Sequence, residues 1–446
     1  MSVLWTASEI AAATGGMMSE PFEATGLSID SRTTQPGDLF VALVGERDGH
    51  DYIDAAMKKG AAGVLSSRAT DAPDVRVKDT LDALRALGKA SRDRCNAIRI
   101  AVTGSVGKTS VKDALAVMLT QFGKTHASIR SFNNHIGVPI TLATMPRDTE
   151  YAVFETGMNH AGELTDLSLQ VKPRLAIITN VGGAHQAMFE SEEAIADAKA
   201  EIAVGLTNGY LFLNSDNRHT PRIRERTGAP VRTFGWGGDI DIVGSEHSAA
   251  GGVVRIIADG SIVEVRHNLP GAHWDHNIAA CIGIAQWLRL DLGLAASALS
   301  NIRASDGRGD THVVSVADKT VTLIDQSYNA NPTSMRAAIS AASLLPGRKV
   351  ALLGDMYELG ADELALHASL AEPLESAGFA RVITTGECMR ALRGALPPAM
   401  RAAHADPETI REALADELQD GDVLLIKGSN ATGLSKLAAE LKRGDG

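Results

Sequence analysis

The stretch Ala101-Val102-Thr103-Gly104-Ser105-Val106-Gly107-Lys108-Thr109-Ser110 decides how the rest of the chain is interpreted. The residues at 98–102 are apolar at nearly every position, which is typical of a buried parallel strand. After the stretch, apolar residues recur at helical spacing, at Val111, Leu115, Met118 and Phe122. We therefore predict a strand, a glycine-containing loop and the start of a helix.

A loop of this kind is suited to binding the phosphates of a nucleotide. Glycines let the backbone wrap around an anion, and the N–H groups at a helix start point towards it. Lys108 would reach the outer phosphates, and the Thr109 hydroxyl would bind a magnesium ion. The match to the standard phosphate loop is imperfect, because Val102 stands where the first glycine is expected. The alternative is an ordinary tight turn.

Composition limits the classes of protein to consider. The chain has 446 residues, too many for a single core, and its net charge of −11 argues against nucleic acid as the main partner. The three cysteines are far apart in sequence and fit a reducing cytoplasm. No run of about 20 apolar residues is present, so no membrane span is expected, and the N-terminus does not resemble a signal peptide.

Strand-like and helix-like segments alternate along most of the chain, which predicts an α/β protein of three domains. Residues 1–96 form a small unit with expected strands at 28–32 and 39–43 and a helix at 80–94. Residues 97–309 contain the phosphate loop on a mostly parallel sheet, with a glycine-rich antiparallel excursion at 234–267. Residues 310–446 repeat the β-α alternation as a Rossmann-like domain.

Polar segments after the predicted strands are candidates for ligand contact, because ligands bind beyond the carboxyl ends of strands in such sheets. Glu155 follows the strand at 151–154, and His185 comes shortly after the strand at 175–179. A carboxylate and an imidazole there can hold magnesium on ATP phosphates, although this ion prefers oxygen. In the simpler interpretation, Glu155 caps a helix or is solvated, and His185 bonds to backbone.

Other segments are ambiguous from the residues alone. Lys199 lies in a helical stretch, where a solvated lysine paired along the helix is the simpler interpretation. Asn133 and Asn134 open a polar loop that is equally well a structural turn. Arg308, between two glycines, is either a mobile phosphate contact or part of a hinge. The run at 325–332 has more hydrogen-bonding side chains than a helix cap requires, which favours ligand contact.

These segments, in this order, resemble the Mur ligase family, whose members are ATP-dependent enzymes that form amide bonds in bacterial cell-wall synthesis. The likeness covers nearly the whole chain, with three matching domains. The segments at 133–139, 325–332 and 353–360 are most similar to the members that add D-alanyl-D-alanine. The Ser-Tyr-Asn-Ala-Asn-Pro run at 327–332 is the most specific of them. The Asp-Asn-Pro-Arg run of the members that add the third amino acid is missing from this sequence.

The resemblance implies roles for individual residues. The loop at 103–110 matches the family's phosphate loop, which explains why Val102 is not glycine. Glu155 and His185 match magnesium ligands. Lys199 matches a carbamoylated lysine, whose modification turns a cation into an anion able to hold a second magnesium ion.

The resemblance also implies nucleotide and substrate contacts. Arg308 and Asp325 match residues that meet the phosphate and the ribose of ATP. Asn277 matches a residue near the adenine, although Trp274 replaces another asparagine of that motif. The substrate residues implied lie in the UDP-sugar segment and in the polar loops of the second and third domains, namely Ser31, Arg32, Asn133, Asn134, Asn329 and Asn331.

The implied activity is that of a cytoplasmic, monomeric ligase. It would join D-alanyl-D-alanine to a UDP-N-acetylmuramoyl-tripeptide through an acyl phosphate, with ATP and two magnesium ions. Lys108, Glu155, His185 and the modified Lys199 would carry the catalysis. Two alternatives stay open: another ligase of the superfamily, adding the third amino acid or glutamate to folate, and a phosphate-loop ATPase that acts as a switch or motor.

Overall fold

A computed structural model describes residues 2–129, 131–183 and 186–444 of the chain. Within these ranges the chain forms three α/β domains, as predicted, each organised around its own main sheet. In the described part of the chain, no helix combines the length and the apolar character that crossing a membrane requires.

The N-terminal domain has a small sheet in the order β2-β7-β6-β5-β4, in which β2 is antiparallel and the others are parallel. Its elements are β1 (Trp5–Thr6), α1 (Ala7–Thr14), β2 (Met17–Met18), β3 (Glu23–Ala24), β4 (Gly26–Ser28), β5 (Asp38–Val41), α2 (Ile53–Lys58), β6 (Gly63–Ser66), β7 (Asp74–Arg76) and α3 (Thr80–Asp93). The helix expected at 80–94 is confirmed. The strand expected at 28–32 is wrong, because the Asp30 carbonyl accepts hydrogen bonds from the N–H groups of Thr33 and Thr34 and turns the chain.

The central domain contains the largest sheet, in the order β16-β15-β14-β13-β12-β11-β8-β10-β9. Its elements are β8 (Ile98–Thr103), α4 (Lys108–Leu119), β9 (Thr125–Ala127), α5 (Gly137–Ala143), β10 (Tyr151–Glu155), α6 (Glu163–Val171), β11 (Leu175–Ile178), α7 (Glu192–Ala200), β12 (Tyr210–Asn214), α8 (Thr220–Thr227), β13 (Val231–Gly235), β14 (Ile240–Ser248), β15 (Gly251–Ala258), β16 (Ser261–His267), α9 (His273–Trp287) and α10 (Leu292–Leu299). In sheet order, the neighbouring strands β9, β10, β8, β11, β12, β13 and β14 all pair in parallel. Strands β14, β15 and β16 pair antiparallel and form the expected antiparallel excursion.

The parallel strands in the middle of the central sheet are buried on both faces, which is why β8, β10, β11 and β12 are largely apolar. Ile100 and Val102 of β8 pack into the core beneath α4 and α9, whereas Ala101 packs into the core on the opposite face. Because β8, β10 and β11 are neighbours and parallel, their carboxyl ends meet at one edge. The phosphate loop and Glu155 therefore emerge side by side.

The C-terminal domain has the sheet order β17-β18-β22-β19-β20-β21, with β17 antiparallel and the rest parallel. Its elements are β17 (Asp310–Val316), β18 (Lys319–Asp325), α11 (Pro332–Ser343), β19 (Lys349–Gly354), α12 (Glu363–Ala368), α13 (Ala371–Ser376), β20 (Phe379–Thr385), α14 (Met389–Ala395), β21 (Arg401–His404), α15 (Ile410–Glu417), β22 (Val423–Lys427) and α16 (Leu434–Arg443). The carboxyl ends of the neighbouring strands β18 and β22 face the phosphate loop across a cavity.

The N-terminal domain packs closely on the central domain. Helix α3 lies against α5, and the core of the first domain includes Ile140 and Ala143 of that helix. The Trp5 indole N–H donates a hydrogen bond of 2.8 Å to the Ala143 carbonyl. These contacts hold the first two domains together.

Candidate active site

The phosphate loop lies between β8 and α4, as the sequence predicts. Gly107, which directly precedes the first residue of α4, has a left-handed backbone with φ of 85°. A Cβ at this position would lie 3.0 Å from Asn277 Oδ1, so a side chain would meet both backbone strain and crowding. The glycine keeps the N–H groups at the start of α4 open to an anion.

Lys108 folds back over the loop that precedes it. Its Nζ donates a hydrogen bond of 2.5 Å to the Gly104 carbonyl. Burial lowers the pKa of Lys108, the nearby Glu155 carboxylate acts in the opposite direction, and Arg308 adds to the lowering. An anion in the cavity would compete with the Gly104 carbonyl for this ammonium group and stabilise its charge.

Thr109, Glu155 and Asn133 form a buried chain of hydrogen bonds. The Thr109 hydroxyl donates to Glu155 Oε2 at 2.7 Å, and Asn133 Nδ2 donates to Glu155 Oε1 at 2.8 Å. The Glu155 carboxylate is 1% exposed, because β10 carries it to the end of the sheet directly beside α4. A hydroxyl and a carboxylate in contact offer the oxygen donors that Mg²⁺ prefers, so the residues fit the predicted ion.

Lys199 is not the solvated helix lysine of the simpler interpretation, since it is 1% exposed and lines the same cavity as the phosphate loop. Burial and the neighbouring charge of Lys108 hold the pKa of Lys199 well below its ordinary value. The amine is therefore disposed to be uncharged. His185, the other predicted magnesium ligand, lies outside the described residues.

A cavity of about 430 Å³ lies between the central and C-terminal domains. It contains most of the predicted nucleotide residues and several that the sequence did not single out. Its lining includes Ser105, Val106, Gly107, Lys108, Thr109, Ser110, Asn133, Glu155, Lys199, His273, His276, Asn277, Arg308, Tyr328, Asn329, Asn331 and Lys427. Thr103 is fully buried in β8, beneath the loop.

Arg308 links the two sides of this cavity. Its Nη2 donates a hydrogen bond of 3.0 Å to the Ser131 hydroxyl in the central domain, and its guanidinium carbon lies 4.1 Å from the ring centre of Tyr328. The flanking glycines, Gly307 and Gly309, have φ values of 71° and 107°. Those conformations favour glycine, and they turn the connecting chain so that Arg308 points at the phosphate loop.

Lys427 is the functional candidate that sequence reasoning did not include among the site residues. It ends β22, is 2% exposed, and donates a hydrogen bond of 2.7 Å to the Asn329 carbonyl. Burial, reinforced by Arg308 and opposed by Asp325, lowers the pKa of Lys427 to about 7. A charged residue at the end of an otherwise apolar strand is the same signal that identified Glu155, and it could have identified Lys427.

In the run at 325–332, some residues have structural roles and others face the cavity. Asn329 and Asn331 line the cavity, and Asn331 Oδ1 also caps α11 by accepting from the Ser334 N–H at 2.8 Å. Asp325 is not among the described residues that line the cavity. Its carboxylate accepts hydrogen bonds from Ser327 and lies 2.8 Å from Lys442 Nζ.

Helix α9 brings Asn277 to the cavity and buries Trp274 behind it. Asn277 and His276 line the cavity, with His276 Nε2 lying 2.8 Å from Asp216 Oδ2. Trp274 is 5% exposed and belongs to the core under the central sheet. The departure from the family motif therefore places a packing residue on the covered side of the helix, while Asn277 lines the cavity.

A second groove, of about 950 Å³, runs between α3 of the N-terminal domain and α6 of the central domain. Its lining includes Arg85, Lys89, Arg92, Asn134, His135, Gly157, Asn159, His160 and Lys172. Gly157 and Asn159 also line the nucleotide cavity, so the two spaces meet there. Ser31 and Arg32 line neither space, and the Arg32 side chain is exposed and paired with Asp30.

Comparisons with known proteins find a matching Mur ligase family model in each of the three domains. Residues 23–104 match the Mur ligase family catalytic domain, residues 102–285 the Mur ligase middle domain, and residues 311–430 the Mur ligase glutamate ligase domain. The chain is 31% identical to the UDP-N-acetylmuramoyl-tripeptide--D-alanyl-D-alanine ligase of Rickettsia prowazekii, across 98% of this chain and 99% of that protein.

Solved structures show the same likeness. MurF from Acinetobacter baumannii superimposes with a TM-score of 0.86 and is 29% identical, covering 98% of this chain and 99% of that one. MurF ligase from Thermotoga maritima, solved in complex with ADP, gives a TM-score of 0.78 at 25% identity and covers 94% and 97% of the two chains.

Proposed function

The chain belongs to the Mur ligase family, and from that premise we propose that it joins D-alanyl-D-alanine to UDP-N-acetylmuramoyl-tripeptide, with ATP converted to ADP and phosphate. The observation that carries the proposal is the cavity shared by the phosphate loop and the C-terminal domain. Full-length similarity to ligases named for this reaction identifies the amine as the dipeptide.

The reaction has two steps. A carboxylate oxygen of the tripeptide attacks the γ-phosphorus of ATP, the bond to ADP breaks, and an acyl phosphate forms. The dipeptide amine then attacks the acyl carbon, and phosphate leaves. The carboxylate and the triphosphate repel each other in the first step, so the cavity must supply positive charge. Lys108, Arg308 and Lys427 all line it and are placed to do so.

Thr109 and Glu155 are proposed to hold Mg²⁺, because their hydroxyl and carboxylate already lie in contact at the end of the phosphate loop. When bound, the ion would neutralise charge on the phosphates. Asn133 holds the Glu155 carboxylate from the other side and so fixes its orientation. His185 stays a proposed ligand on the strength of the family resemblance.

Lys199 is proposed to carry the family's carbamate. Carbamate formation joins the lysine nitrogen to the carbon of CO₂ and releases a proton, which requires an uncharged amine. The lowered pKa of Lys199 favours that form, and the adjacent Lys108 would stabilise the resulting anion. The carbamate would supply the oxygen ligands of a second Mg²⁺ ion.

The groove between the first two domains is proposed to receive the UDP-linked peptide. Arg85, Lys89 and Lys172 give it cationic groups that suit a diphosphate and peptide carboxylates, although Glu163 and Asp166 also line it. It meets the nucleotide cavity at Gly157 and Asn159, which would let the peptide carboxylate reach ATP. Residues 1–96, with Ser31 and Arg32, are proposed as the UDP-sugar domain, residues 97–309 as the ATP domain, and residues 310–446 as the dipeptide-binding domain.

We further propose that the enzyme is a cytoplasmic monomer. Its three cysteines are free thiols, with Cys95 and Cys281 buried, which fits a reducing compartment. The described residues of a single chain supply both the nucleotide cavity and the adjoining groove, so the proposed site needs no residue from a second copy.

The alternatives differ in the amine they require. A ligase adding the third amino acid, or glutamate to folate, would turn over with another amine. A switch or motor ATPase would release phosphate without any amine or carboxylate acceptor, and it gives no reason for Asn329 and Asn331 to line the cavity opposite the phosphate loop.

The test is phosphate release from ATP and Mg²⁺ with UDP-N-acetylmuramoyl-tripeptide present and D-alanyl-D-alanine added or withheld. We expect sustained release only with both substrates, together with a pentapeptide product identified by mass. Turnover with a different amine would move the chain elsewhere in the superfamily. Release that is indifferent to every amine and carboxylate would contradict the ligase assignment.

A further inference from the structure

A second cluster of polar side chains lies where the antiparallel excursion packs on α9. His247 is on β14, His267 ends β16, and Asp275 is in the first turn of α9. One potential metal-ligating atom from each of the three lies within 4.8 Å of the others. None of the three is among the described residues that line the nucleotide cavity. The cluster is therefore a feature separate from the proposed magnesium site.

Gly252 on β15 makes room for the two imidazoles to converge. In the strand register, Gly252 is the partner of His247 on one side and of His267 on the other. A Cβ on Gly252 would lie 2.7 Å from His267 Nε2 and 2.9 Å from His247 Nδ1. Both ring nitrogens therefore point into the space that the missing side chain leaves open.

The atoms of the cluster are buried without enough partners. Asp275 Oδ2 lies 3.1 Å from His247 Nε2, which accounts for one contact. His247 Nδ1, His267 Nε2 and Asp275 Oδ1 are buried, and none of them has a hydrogen-bond partner among the described residues. His267 and Asp275 are each 3% exposed. Buried polar atoms are rarely left unpaired, and three in one cluster indicate a missing ligand.

The remaining contact of His267 must change before an ion can bind at Nε2. The Leu269 N–H lies 3.4 Å from His267 Nδ1, which is long for a hydrogen bond. A contact of that length does not determine which ring nitrogen carries the proton. An ion at Nε2 requires the His267 proton at Nδ1, and the Leu269 N–H contact, which needs a lone pair on Nδ1, is then lost.

We propose that His247, His267 and Asp275 bind a divalent transition-metal ion of the Zn²⁺ class. Two imidazole nitrogens and one carboxylate form a donor set that suits Zn²⁺ and is unsuited to Mg²⁺, which requires oxygen ligands. The His247 side chain is 16% exposed, which gives an entering ion a path. The ion would tie β14 and β16 to α9, the helix that carries Asn277 to the nucleotide cavity.

The test is Zn²⁺ binding by the full chain without a polyhistidine tag, after removal of metals with a chelator. Excess Mg²⁺ and a non-hydrolysable ATP analogue occupy the nucleotide cavity, so that its ligands do not contribute. We expect about one Zn²⁺ per chain by elemental analysis after dialysis. We also expect a higher melting temperature with the ion, and the visible spectrum of a low-coordinate site when Co²⁺ replaces Zn²⁺.

Variants separate this cluster from other sites. His267→Gln and Asp275→Asn are each expected to weaken Zn²⁺ binding by at least roughly tenfold. Gly252→Ala, which keeps all three ligands but fills the space between the rings, is expected to weaken it as well. His404→Gln removes a histidine of the third domain that is bonded to Thr384, and serves as the matched control with unchanged binding.

Two results would overturn the proposal. The first is wild-type protein that binds no stoichiometric Zn²⁺ while the nucleotide cavity is filled. The second is equal affinity in wild type, His267→Gln and Gly252→Ala, because that would place the ion elsewhere. If His267→Gln fails to fold, the melting curve of the metal-free protein reveals it, and Gly252→Ala and Asp275→Asn then decide the question.

Discussion

The two walls of the nucleotide cavity are built in different ways. On the central-domain wall, the groups suited to phosphate come from one continuous segment, in which β8, a glycine-containing loop and α4 present backbone N–H groups and Lys108. On the opposite wall, the cationic groups come from separate parts of the chain, with Arg308 in the segment that leads into β17 and Lys427 at the end of β22. The first wall depends on local backbone geometry, whereas the second depends on tertiary packing.

This difference suggests that the two walls have different functions. The phosphate loop can bind an anion whatever the position of the third domain, because its donors belong to one helix start. The opposite wall contributes its charge when the third domain lies close, as it does here, where Lys427 lines the same cavity as the phosphate loop. Loss of a central-wall residue should therefore abolish chemistry, and loss of an opposite-wall residue should mainly impair closure and nucleotide affinity.

The largest effect is expected from Lys108→Ala. Removing this ammonium group should lower kcat by about 10²–10³, because it is placed to stabilise the charge that develops on the transferring phosphate. The measurement is steady-state phosphate release with all substrates saturating. Lys124→Ala, which removes an exposed lysine paired with Asp148, is the matched control and should change kcat little. Near-wild-type turnover of Lys108→Ala would refute the role of the loop.

Glu155→Gln should have the next largest effect. The amide keeps the shape of the side chain but loses the negative charge beside Thr109, so activity should fall by about 10² and the Mg²⁺ concentration for half-maximal rate should rise. The control is Glu150→Gln, at a carboxylate that accepts from the Lys124 N–H. An unchanged Mg²⁺ requirement in Glu155→Gln would separate this residue from the ion.

Arg308→Ala tests the opposite wall. It removes both the hydrogen bond to Ser131 and the stacking on Tyr328. We expect kcat/KM for ATP to fall about tenfold, which corresponds to about 1.4 kcal/mol, with most of the change in KM. Ser131→Ala removes the partner hydroxyl alone and should give a smaller change. If Arg308→Ala instead lowers kcat as much as Lys108→Ala does, the two walls do not differ as described.

The smallest effect is expected from Lys427→Met in the substrate-free protein, where the change in stability depends on pH. The folded pKa of Lys427 is about 7 and the ordinary value is 10.5, so between these values the unfolded chain binds more protons at this position. The contribution of Lys427 to unfolding free energy therefore rises with pH across that window and is least favourable below it.

Lys427→Met should accordingly be more stable than wild type at neutral pH, with an advantage that shrinks as the pH is raised towards 10.5. Urea unfolding at several pH values measures it. The same variant should bind ATP more weakly, because the cavity loses a cation. A stability difference that does not vary with pH would show that Lys427 does not titrate differently in the folded and unfolded chain.

The local features of the fold and site could be predicted from the sequence. The phosphate loop, Thr109 and Glu155 lie where the strand pattern placed them, because parallel neighbours share a carboxyl edge. Helix α3 and the antiparallel excursion were predicted for similar reasons, since their periodicity is local. Arg308 and Asn277 also line the cavity; their contacts with ATP, which the family resemblance implies, stay predictions.

Features that depend on distant partners could not be predicted in this way. Asp325 follows a strand and was expected to contact ATP, but its carboxylate is engaged by Ser327 and by Lys442 of the last helix. The convergence of His247 and His267 depends on a strand register with Gly252 between them, which periodicity does not specify. Lys427 carries a local signal, a charge at the end of an apolar strand, and its Lys-Gly-Ser turn at 427–429 also resembles one of the family.

The most direct test of the account is to trap the acyl phosphate. The enzyme is mixed with UDP-N-acetylmuramoyl-tripeptide, ATP and Mg²⁺ without dipeptide, and borohydride is added to reduce an activated carboxyl group to an alcohol that mass spectrometry detects. We expect the alcohol in wild type, much less in Lys108→Ala, and its disappearance when D-alanyl-D-alanine is added before the borohydride. Pentapeptide formation with no trapped alcohol under any condition would contradict a mechanism in which the cavity activates the carboxylate first.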